Sequence, residues 1–483
     1  MRKTAECDVI IRNGILIDGT GRPRRRADVA VDGDRIAALG DPDLPPGVTA
    51  RREIDASGLV VAPGFIDVHT HDDNAVLAEP RMTAKVSQGV TSVIVGNCGI
   101  SLAPIADLDP PPPHNLLGDR SVYRYGDMAA YLSAVEAARP NVNVAALVGH
   151  GTLRLSTMNG QLDRPATAAE TEAMRTRLRG AMEAGALGMS SGVFYKPSAA
   201  APKAELAAVA GVLAETGGLY VSHLRNEDDG LLESLEEAFE TAHEAHTPLV
   251  ISHHKVCRPQ NYGKSVKSLR AIEKARRHHT IGLDAYPYSA GSTVLDPDWV
   301  DERIGVMVTW SQPYPEAGGR DLAEIAGDWN CGLREAAERL HPAGAVYFQM
   351  DEEDVRRILA YPPTMIGSDG LPHDAHPHPR LWGTFPRVLG HYSRDVGLFP
   401  LEIAVHKMSG LSARTFGLKE RGEIQPGNFA DIVLFDPDTV KDAATFAEPT
   451  RASIGIDRVL VNGAVAFEHG SASDDGHGQV IRR

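Results

Sequence analysis

The decapeptide GFIDVHTHDD spans residues 64–73 and contains two histidines, His69 and His71, separated by one residue. The apolar run just before them, residues 59–66, predicts a buried β-strand. Side chains two positions apart in a strand point to the same face, so both imidazoles are expected to project together where this strand ends. Such a pair indicates a functional site only if further residues converge on it.

The composition is typical of a globular protein with a large buried core. The chain has 483 residues, 42% of them hydrophobic, and a formal net charge of −15. This acidic balance gives little support for a nucleic-acid partner. The sequence shows no long apolar run and no signal-peptide pattern, and its four cysteines are widely spaced. We therefore predict a cytoplasmic protein without a membrane partner or a disulfide framework; the sequence does not indicate its oligomeric state.

Both ends of the chain have the pattern of short β-strands separated by Gly and Asp turns. This holds for CDVIIRNGILIDGTG near the start and for GNFADIVLFDPDTV and IDRVLVNGAVAFEHG near the end. We predict that residues 1–60 and 415–483 together build one small β-sandwich domain. Two unrelated β caps are the alternative.

Residues 61–414 alternate between strand and helix patterns, which is typical of a parallel α/β fold. The strand candidates are VVAPGFIDV, TSVIVGN, NVNVAALVG, ALGMSSG, GLYVSHL, PLVISHH, TIGLDAY and TMIGSD. Eight strands with crossover helices predict a TIM-like (β/α)8 barrel, and a doubly wound open sheet is the alternative. The alternation breaks at about residues 287–363, which predicts an insertion after strand seven that covers the barrel mouth.

Polar residues follow several of these strands at the end where a barrel carries its active site. Beyond His69 and His71 they are Cys98, His223, His253 and Asp369. Singly, each has an ordinary explanation: a hydrogen-bonded histidine, a small buried cysteine, or an aspartate in a turn. Jointly, imidazole, thiolate and carboxylate groups at one edge predict a zinc site.

The predicted zinc site divides into two groups. Cys98, His223 and His253 are expected to hold one Zn²⁺ tightly and to leave a position open, as catalytic zinc requires. His69, His71 and Asp369 are expected to form a second, weaker site, with the thiolate available as a bridge. Because zinc makes water a stronger nucleophile and Asp369 could accept and return its proton, the pattern predicts metal-assisted hydrolysis.

Motifs along nearly the whole chain resemble those of the N-acyl-D-amino-acid deacylases, or D-aminoacylases, within the amidohydrolase superfamily. They are GFIDVHTHDD, VGNCGIS, GMSSGVFY, YVSHLRNE, ISHHKV, DAYPYSAGST, IGSDG, HPHPRLWGTFPRVLG and RGEIQPGNFADIVLFD. Other branches of the superfamily commonly bridge two metals with a carboxylated lysine after strand four. This chain has no lysine at that strand end, and the resemblance gives the bridging role to Cys98. Lys196, farther along, is interpreted as a surface or loop residue.

The resemblance implies roles for further residues. Asp369 would be the general acid and base, Lys255 and Tyr286 would hold the substrate α-carboxylate, and Tyr195 would polarise the scissile carbonyl. Arg380 is a further candidate for the carboxylate. The residues expected to face the substrate side chain are Phe194, Leu295, Tyr347 and Met350.

The implied activity is hydrolysis of N-acyl-D-amino acids, a small-molecule substrate class. All four expected pocket residues are apolar or amphipathic, which favours hydrophobic side chains such as D-methionine, D-leucine or D-phenylalanine. Core residues of the insertion are the alternative explanation for them, and a solvated loop cation is the alternative for Lys255. A cyclic-amide or dipeptide hydrolase of the same superfamily remains an alternative function, and a metal-binding scaffold without catalysis is a third.

Overall fold

The computed structural model describes residues 6–40, 43–45 and 47–483. The strands, in chain order, are β1 (Glu6–Arg12), β2 (Ile15–Leu16), β3 (Arg25–Arg26), β4 (Val29–Asp32), β5 (Arg35–Leu39), β6 (Thr49–Asp55), β7 (Val60–Pro63), β8 (Phe65–Asp67), β9 (Val90–Val95), β10 (Ile105–Ala106), β11 (Arg124–Tyr125), β12 (Asn143–Gly149), β13 (Gly188–Gly192), β14 (Leu219–His223), β15 (Leu249–Ile251), β16 (Ile281–Ala285), β17 (Gly291–Val294), β18 (Gly305–Ser311), β19 (Ala343–Phe348), β20 (Thr364–Ile366), β21 (Ile432–Phe435), β22 (Ile456–Val461), β23 (Ala464–Glu468) and β24 (Ser471–Ala472).

The α-helices are α1 (Ala75–Ala78), α2 (Thr83–Val86), α3 (Met128–Ala138), α4 (His150–Thr157), α5 (Ala168–Ala184), α6 (Lys196–Ala199), α7 (Lys203–Thr216), α8 (Leu231–Glu244), α9 (Ser265–Arg276), α10 (Leu322–Asp328), α11 (Leu333–Leu340), α12 (Glu352–Ala360), α13 (Arg380–Arg387), α14 (Leu401–Met408) and α15 (Gly410–Phe416). A π-helical segment, Val388–Asp395, continues from α13. In the part of the chain that the structure describes, no helix combines the length and the apolar character needed to cross a bilayer.

A closed parallel barrel occupies the centre of the molecule. Within the described residues, eight parallel strands follow one another in the order β8, β9, β12, β13, β14, β15, β16 and β20. The ring closes where the chain after β8 meets the chain after β20: Thr70 pairs with Gly370, and the Asp369 N–H donates to the His69 carbonyl at 2.8 Å. The predicted (β/α)8 barrel is therefore confirmed, and this closure excludes the open-sheet alternative.

The barrel strands form because their sequences suit burial on both faces. β9 reads VTSVIV and all of its residues are buried, as are those of β12. Such unbroken burial is typical of parallel strands that are covered by helices. The helices outside are amphipathic instead: α8 buries Leu231, Leu235, Ala238 and Ala242 at helical spacing and leaves its other face to solvent.

The small β domain combines both ends of the chain. A seven-stranded sheet among the described residues runs in the order β24, β23, β22, β21, β7, β2 and β3, so β7 pairs directly with β21 from the C-terminal part. A second sheet, β5–β4–β1–β6, packs on it around a shared apolar core that includes Ile11, Val31, Ile432 and Leu434. The two packed sheets confirm the sandwich. The boundaries at residues 60 and 414 stay predictions, and β7 itself extends to Pro63.

A separate subdomain lies between barrel strands β16 and β20. The three strands β17, β19 and β18 form an antiparallel sheet, and α10 and α11 pack on it with their own core, which includes Leu322, Ile325 and Leu340. This segment also supplies Trp299, Tyr347 and other residues to the cavity at the barrel mouth.

Candidate active site

The loops that follow five barrel strands deliver the predicted ligands to one point. His69 and His71 follow β8, Cys98 follows β9, His223 ends β14, His253 follows β15, and Asp369 follows β20. All of these side chains are buried. Their donor atoms fall into two groups, each with mutual distances within 4.8 Å: Cys98, His223 and His253, and His69, His71, Cys98 and Asp369. The structure thus brings together all six residues that the sequence selected.

The backbone at three of these residues has a left-handed conformation. The φ angle is 54° at Cys98, 34° at His253 and 50° at Asp369. Side chains other than glycine rarely adopt such angles, and they concentrate at functional sites where the surrounding structure holds them. At each position the turn directs the side chain back over the barrel mouth immediately after the strand ends.

Two glycines allow the strand ends to approach one another. A Cβ atom on Gly192 would lie 2.0 Å from the Cys98 carbonyl oxygen, and one on Gly367 would lie 2.4 Å from Cβ of His69. Any larger residue at either position would push a candidate ligand out of place. These contacts explain why GMSSG and IGSDG carry a glycine there.

The group of Cys98, His223 and His253 has the composition of a three-ligand zinc site. Nε2 of His253 lies 2.8 Å from Nδ1 of His223 and 3.4 Å from Sγ of Cys98. Burial alone would raise the pKa of the Cys98 thiol, but the imidazoles of His69 and His253 lower it well below its usual range. The sulfur is therefore held as a thiolate, the form that binds metal.

The second group shares the same sulfur atom. Nε2 of His69 lies 3.2 Å from Cys98 Sγ, and Nε2 of His71 lies 3.1 Å from Oδ1 of Asp369. Because Cys98 belongs to both groups, its thiolate would be shared if each group held an ion. Sulfur, imidazole and carboxylate donors at these separations fit zinc in either group.

Two further carboxylates, which the sequence analysis did not select, orient the histidines. Asp284 at the end of β16 lies 3.3 Å from Nδ1 of His69 and accepts the backbone N–H of His253 at 2.9 Å. Glu227 lies 3.2 Å from Nδ1 of His253 and 2.7 Å from Nζ of Lys255. Such partners fix the orientation of a ligating imidazole. The sequence does contain an indication of Asp284, because this residue lies at the end of a barrel strand, as the candidate ligands do.

Arg380 contacts Asp369 and does not line the cavity formed by the described residues. Its guanidinium lies 2.9 Å from Oδ2 of Asp369 and also packs 4.6 Å from the centre of the Tyr286 ring. Burial alone would raise the pKa of Asp369, but Arg380 and His71 hold it well below the usual range. Arg380 therefore forms an ion pair that keeps Asp369 ionised, and its contact with a substrate carboxylate stays a prediction.

A cavity of about 200 Å³ lies above the ligand groups. Its polar lining residues include Asn226, Glu227, Lys255, Arg258 and Gln349. Its aromatic lining residues include Phe194, Tyr195 and Trp299. His71, His223, His253 and Asp369 border the same space, so a molecule held in the cavity would lie directly against the candidate ligands.

Most of the residues proposed for substrate contact line this cavity. They are Lys255, Tyr286, Tyr195, Phe194 and Tyr347. Among the described residues no hydrogen-bond partner is found for the buried Tyr286 hydroxyl, whereas the Tyr195 hydroxyl lies 2.9 Å from Oγ1 of Thr293. Burial raises the pKa of both phenols, so both are donors at neutral pH.

Leu295 and Met350, which are also expected to face the substrate side chain, lie outside the lining of this cavity, and Leu295 borders a neighbouring groove instead. Leu295 is fully buried in the core of the insertion, where the antiparallel sheet and its helices pack together. Met350 lines a small neighbouring cavity together with Lys255, Tyr286, Tyr288 and Val355. Neither belongs to the lining of the cavity as the described residues form it. Lys196, in contrast, is exposed at the start of α6, as expected.

The comparisons with known proteins agree with this geometry. A family model described as "Amidohydrolase family" matches residues 52–296 and 325–467. The chain is 52% identical to D-aminoacylase from Alcaligenes xylosoxydans xylosoxydans over 99% of this chain and 98% of that protein. The chain belongs to the amidohydrolase family, in its D-aminoacylase branch. It is also 49% identical to the N-acyl-D-glutamate deacylase of the same organism, over 99% of this chain and 96% of that protein.

Solved structures of this branch of the amidohydrolase family superpose closely. A crystal structure of D-aminoacylase matches with a TM-score of 0.96 and 53% identity, covering 99% of this chain and 100% of that chain. N-acyl-D-glutamate deacylase from Bordetella bronchiseptica, in complex with zinc and a phosphonate mimic of the tetrahedral intermediate, matches with a TM-score of 0.95 and 49% identity over 99% and 100% of the chains. Another D-aminoacylase structure matches with a TM-score of 0.96 and 52% identity, covering 99% of this chain and 100% of that chain. That structure concerns a binuclear metal centre with one-metal activation and second-metal attenuation.

Proposed function

We propose that this protein hydrolyses the amide bond of N-acyl-D-amino acids to a carboxylate and a free D-amino acid. The observation that carries the proposal is the position of Asp369. Its carboxylate borders the cavity beside both ligand groups, and Lys255 and Tyr286 border the same cavity. One space therefore holds a base, a metal-binding set and a cation suited to a carboxylate. We also propose that the protein is cytoplasmic and has no nucleic-acid partner.

Asp369 is the group that handles the proton. A zinc ion held by Cys98, His223 and His253 would supply Lewis acidity, which polarises the amide and makes water a stronger nucleophile at neutral pH. Asp369 accepts a proton as the water oxygen bonds to the carbonyl carbon, and it returns the proton to nitrogen as the C–N bond breaks. Arg380 on its other oxygen keeps the carboxylate ionised and fixed in orientation.

Tyr195 donates to the carbonyl oxygen. Its phenol stays protonated because burial, reinforced by the nearby Cys98 thiolate, raises its pKa well above the usual range. A neutral donor aimed at the oxygen that gains negative charge stabilises the transition state more than the ground state. Thr293, 2.9 Å from the hydroxyl, holds the phenol in place.

Lys255 and Tyr286 hold the α-carboxylate. Nζ of Lys255 lies 5.9 Å from the centre of the Tyr286 ring, so the ammonium and the phenol can contact the same anion. Glu227, which pairs with Lys255 at 2.7 Å, orients the ammonium and keeps it charged. When Lys255 and Tyr286 hold the carboxylate, the amide lies over the ligand groups. The binding energy of the carboxylate is then used to position the reacting atoms.

The cavity favours hydrophobic D-amino acids such as D-methionine, D-leucine or D-phenylalanine. Phe194, Trp299 and Tyr347 provide apolar surface for the side chain. Arg258 also borders the cavity, but it lies 3.3 Å from Oδ2 of Asp301 and donates to the Trp299 carbonyl at 2.8 Å. Asp301 therefore balances the charge of Arg258, and the aromatic surface is the feature on which the proposed preference rests.

The experiment is a chiral product analysis. Purified, zinc-loaded protein is given racemic N-acetylmethionine, and the free amino acid is resolved over time. Free D-methionine alone is the expected product, with N-acetyl-D-glutamate hydrolysed more slowly. Release of L-methionine would contradict the stereochemistry. Hydrolysis of a cyclic amide or a dipeptide, with neither N-acetyl enantiomer consumed, would favour the alternative reactions of this family.

A further inference from the structure

Three aromatic residues separate the catalytic cavity from a larger groove. Phe194, Tyr195 and Trp299 border both spaces. The Phe194 ring stacks on the imidazole of His223 at 5.4 Å and packs at a 30° tilt against the indole of Trp299 at 4.3 Å between ring centres. The three rings therefore form the boundary between the candidate zinc ligand His223 and the groove. A flexible substituent that extends past them would leave the cavity and enter the groove.

The groove is apolar along its floor and charged at its rim. Its volume is about 1080 Å³, and it lies between the loop before α3, the end of α4, α6 and the insertion. Leu108, Leu155 and Leu162, together with the prolines at 111–113, line it; all three leucines are half-buried. The charged side chains that border it are those of Asp109, Asp163, Lys196 and Asp296. An apolar trough of this size beside a catalytic centre fits an extended alkyl group.

We propose that this groove binds the acyl chain of the substrate, and that the protein prefers N-acyl-D-amino acids with medium or long alkyl chains over N-acetyl substrates. The inference rests on the proposed function, which fixes the direction of the substrate. With the α-carboxylate at Lys255 and the amide over the ligand groups, Tyr195 contacts the carbonyl oxygen. The acyl chain begins at the carbon bonded to that oxygen, and Tyr195 itself borders the groove.

The side chain of the amino acid is a poorer occupant for the groove. It branches from Cα, next to the carboxylate that Lys255 holds, and lies within the cavity against Phe194, Trp299 and Tyr347. The acyl chain begins on the other side of the amide, at the carbonyl carbon beside Tyr195, which also borders the groove. The charged groups at the rim remain in water while the methylene groups cover the leucines, an arrangement that suits an alkyl chain.

The first test measures binding without turnover. Zinc-loaded Asp369→Asn protein is titrated with N-acetyl-D-methionine and N-octanoyl-D-methionine in a calorimeter. Each fully buried methylene is expected to lower Kd about fourfold, so partial burial of the octanoyl chain predicts a Kd at least tenfold lower. Equal or weaker binding of the octanoyl compound would overturn the proposal.

The second test locates the effect. Leu162→Asp places a charge on the groove floor, and Ala199→Phe, at an exposed position that borders the groove, narrows it. Both are expected to reduce the ratio of kcat/KM for the octanoyl to the acetyl substrate at least fivefold. Leu411→Asp, a half-buried leucine on α15, is the matched control and should leave this ratio unchanged. An unchanged ratio in both folded groove variants would overturn the assignment.

The two proposals fail in distinguishable ways. If the wild-type protein hydrolyses neither substrate, while the octanoyl compound still binds more tightly and Leu162→Asp removes the difference, the groove assignment stands and the proposed reaction is wrong. If the acetyl substrate is hydrolysed and chain length has no effect on kcat/KM or Kd, the reaction stands and the groove assignment is wrong.

Discussion

Asp284 and His69 are in direct contact: the carboxylate lies 3.3 Å from Nδ1, the ring nitrogen that faces away from the Cys98 sulfur. The same carboxylate accepts the backbone N–H of His253 at 2.9 Å. One residue from β16 therefore positions members of both ligand groups. A carboxylate on the far nitrogen of a ligating imidazole fixes its tautomer and strengthens it as a ligand.

Asp284→Asn should weaken metal binding without removing a ligand. The amide lacks the negative charge that holds the Nδ1 proton, so zinc affinity and activity are expected to fall about 10- to 100-fold. Zinc affinity is measured by competition with a chelating dye. Asp457→Asn on β22, in the small domain, is the control for a charge change far from the site. Unaltered affinity in a folded Asp284→Asn protein would contradict the positioning role.

Asp369→Asn should separate chemistry from tight zinc binding. Cys98, His223 and His253 are untouched, so the variant should retain about one equivalent of zinc. Loss of the base is expected to lower kcat for N-acetyl-D-methionine by about 10²- to 10⁴-fold. Zinc content and steady-state kinetics are measured on the same preparation. A variant that keeps more than about a tenth of kcat with zinc bound would show that another group handles the proton.

Lys255→Met should mainly affect substrate binding. Removal of a charged hydrogen-bond donor to the α-carboxylate is expected to raise KM for N-acetyl-D-methionine about 10- to 100-fold. The effect on kcat should be smaller, because Lys255 contacts no reacting atom. Lys267→Met, at an exposed position on α9, is the matched control. A fall in kcat with KM unchanged would contradict the assignment of Lys255 to the carboxylate.

The buried Glu205 predicts a pH dependence of stability. Burial would raise the pKa of Glu205, but His150, the Ala166 N–H and Arg154 together lower it to about 2, from 4.5 in a free side chain. A lowered carboxyl pKa stabilises the folded state above about pH 4.5, and this contribution disappears as the pH falls toward 2. Acid should therefore remove stability that depends on this residue.

Glu205→Gln isolates that contribution. At pH 6 the variant should be less stable than the wild-type protein, on the order of 2 kcal/mol after allowance for solvent screening. The difference should shrink by pH 3. Urea unfolding of both proteins in the presence of a chelator removes the effect of metal loss from the comparison. A difference that stays constant between these pH values would contradict the lowered pKa.

Much of the fold and of the ligand set was predictable from sequence because both follow local rules. Unbroken apolar strands alternating with amphipathic helices indicate a parallel barrel, and the carboxyl ends of parallel strands meet at one face. Cys98, His223 and His253 could thus be grouped without coordinates. Asp284 obeys the same rule, but its role depends on contacts with His69 and His253 that the sequence does not display.

The remaining features depend on distances that a sequence does not display. Glu227 lies in a loop four residues after His223, and its contacts with His253 and Lys255 arise only when two barrel loops meet. Leu295 was expected in the pocket because of its place in a motif, but the insertion folds it into its own core. Arg380 is expected to meet the substrate, and its ion pair with Asp369 forms only because the start of α13 lies beside the loop after β20.

The most direct test of the central claim is a zinc titration of activity. Protein stripped with a chelator is reconstituted with increasing zinc, and D-methionine release from racemic N-acetylmethionine is followed at each step. Activity should be absent in the stripped protein, rise to a maximum near one equivalent of zinc, and yield the D product alone. Full activity in the stripped protein, or release of the L product, would contradict the account.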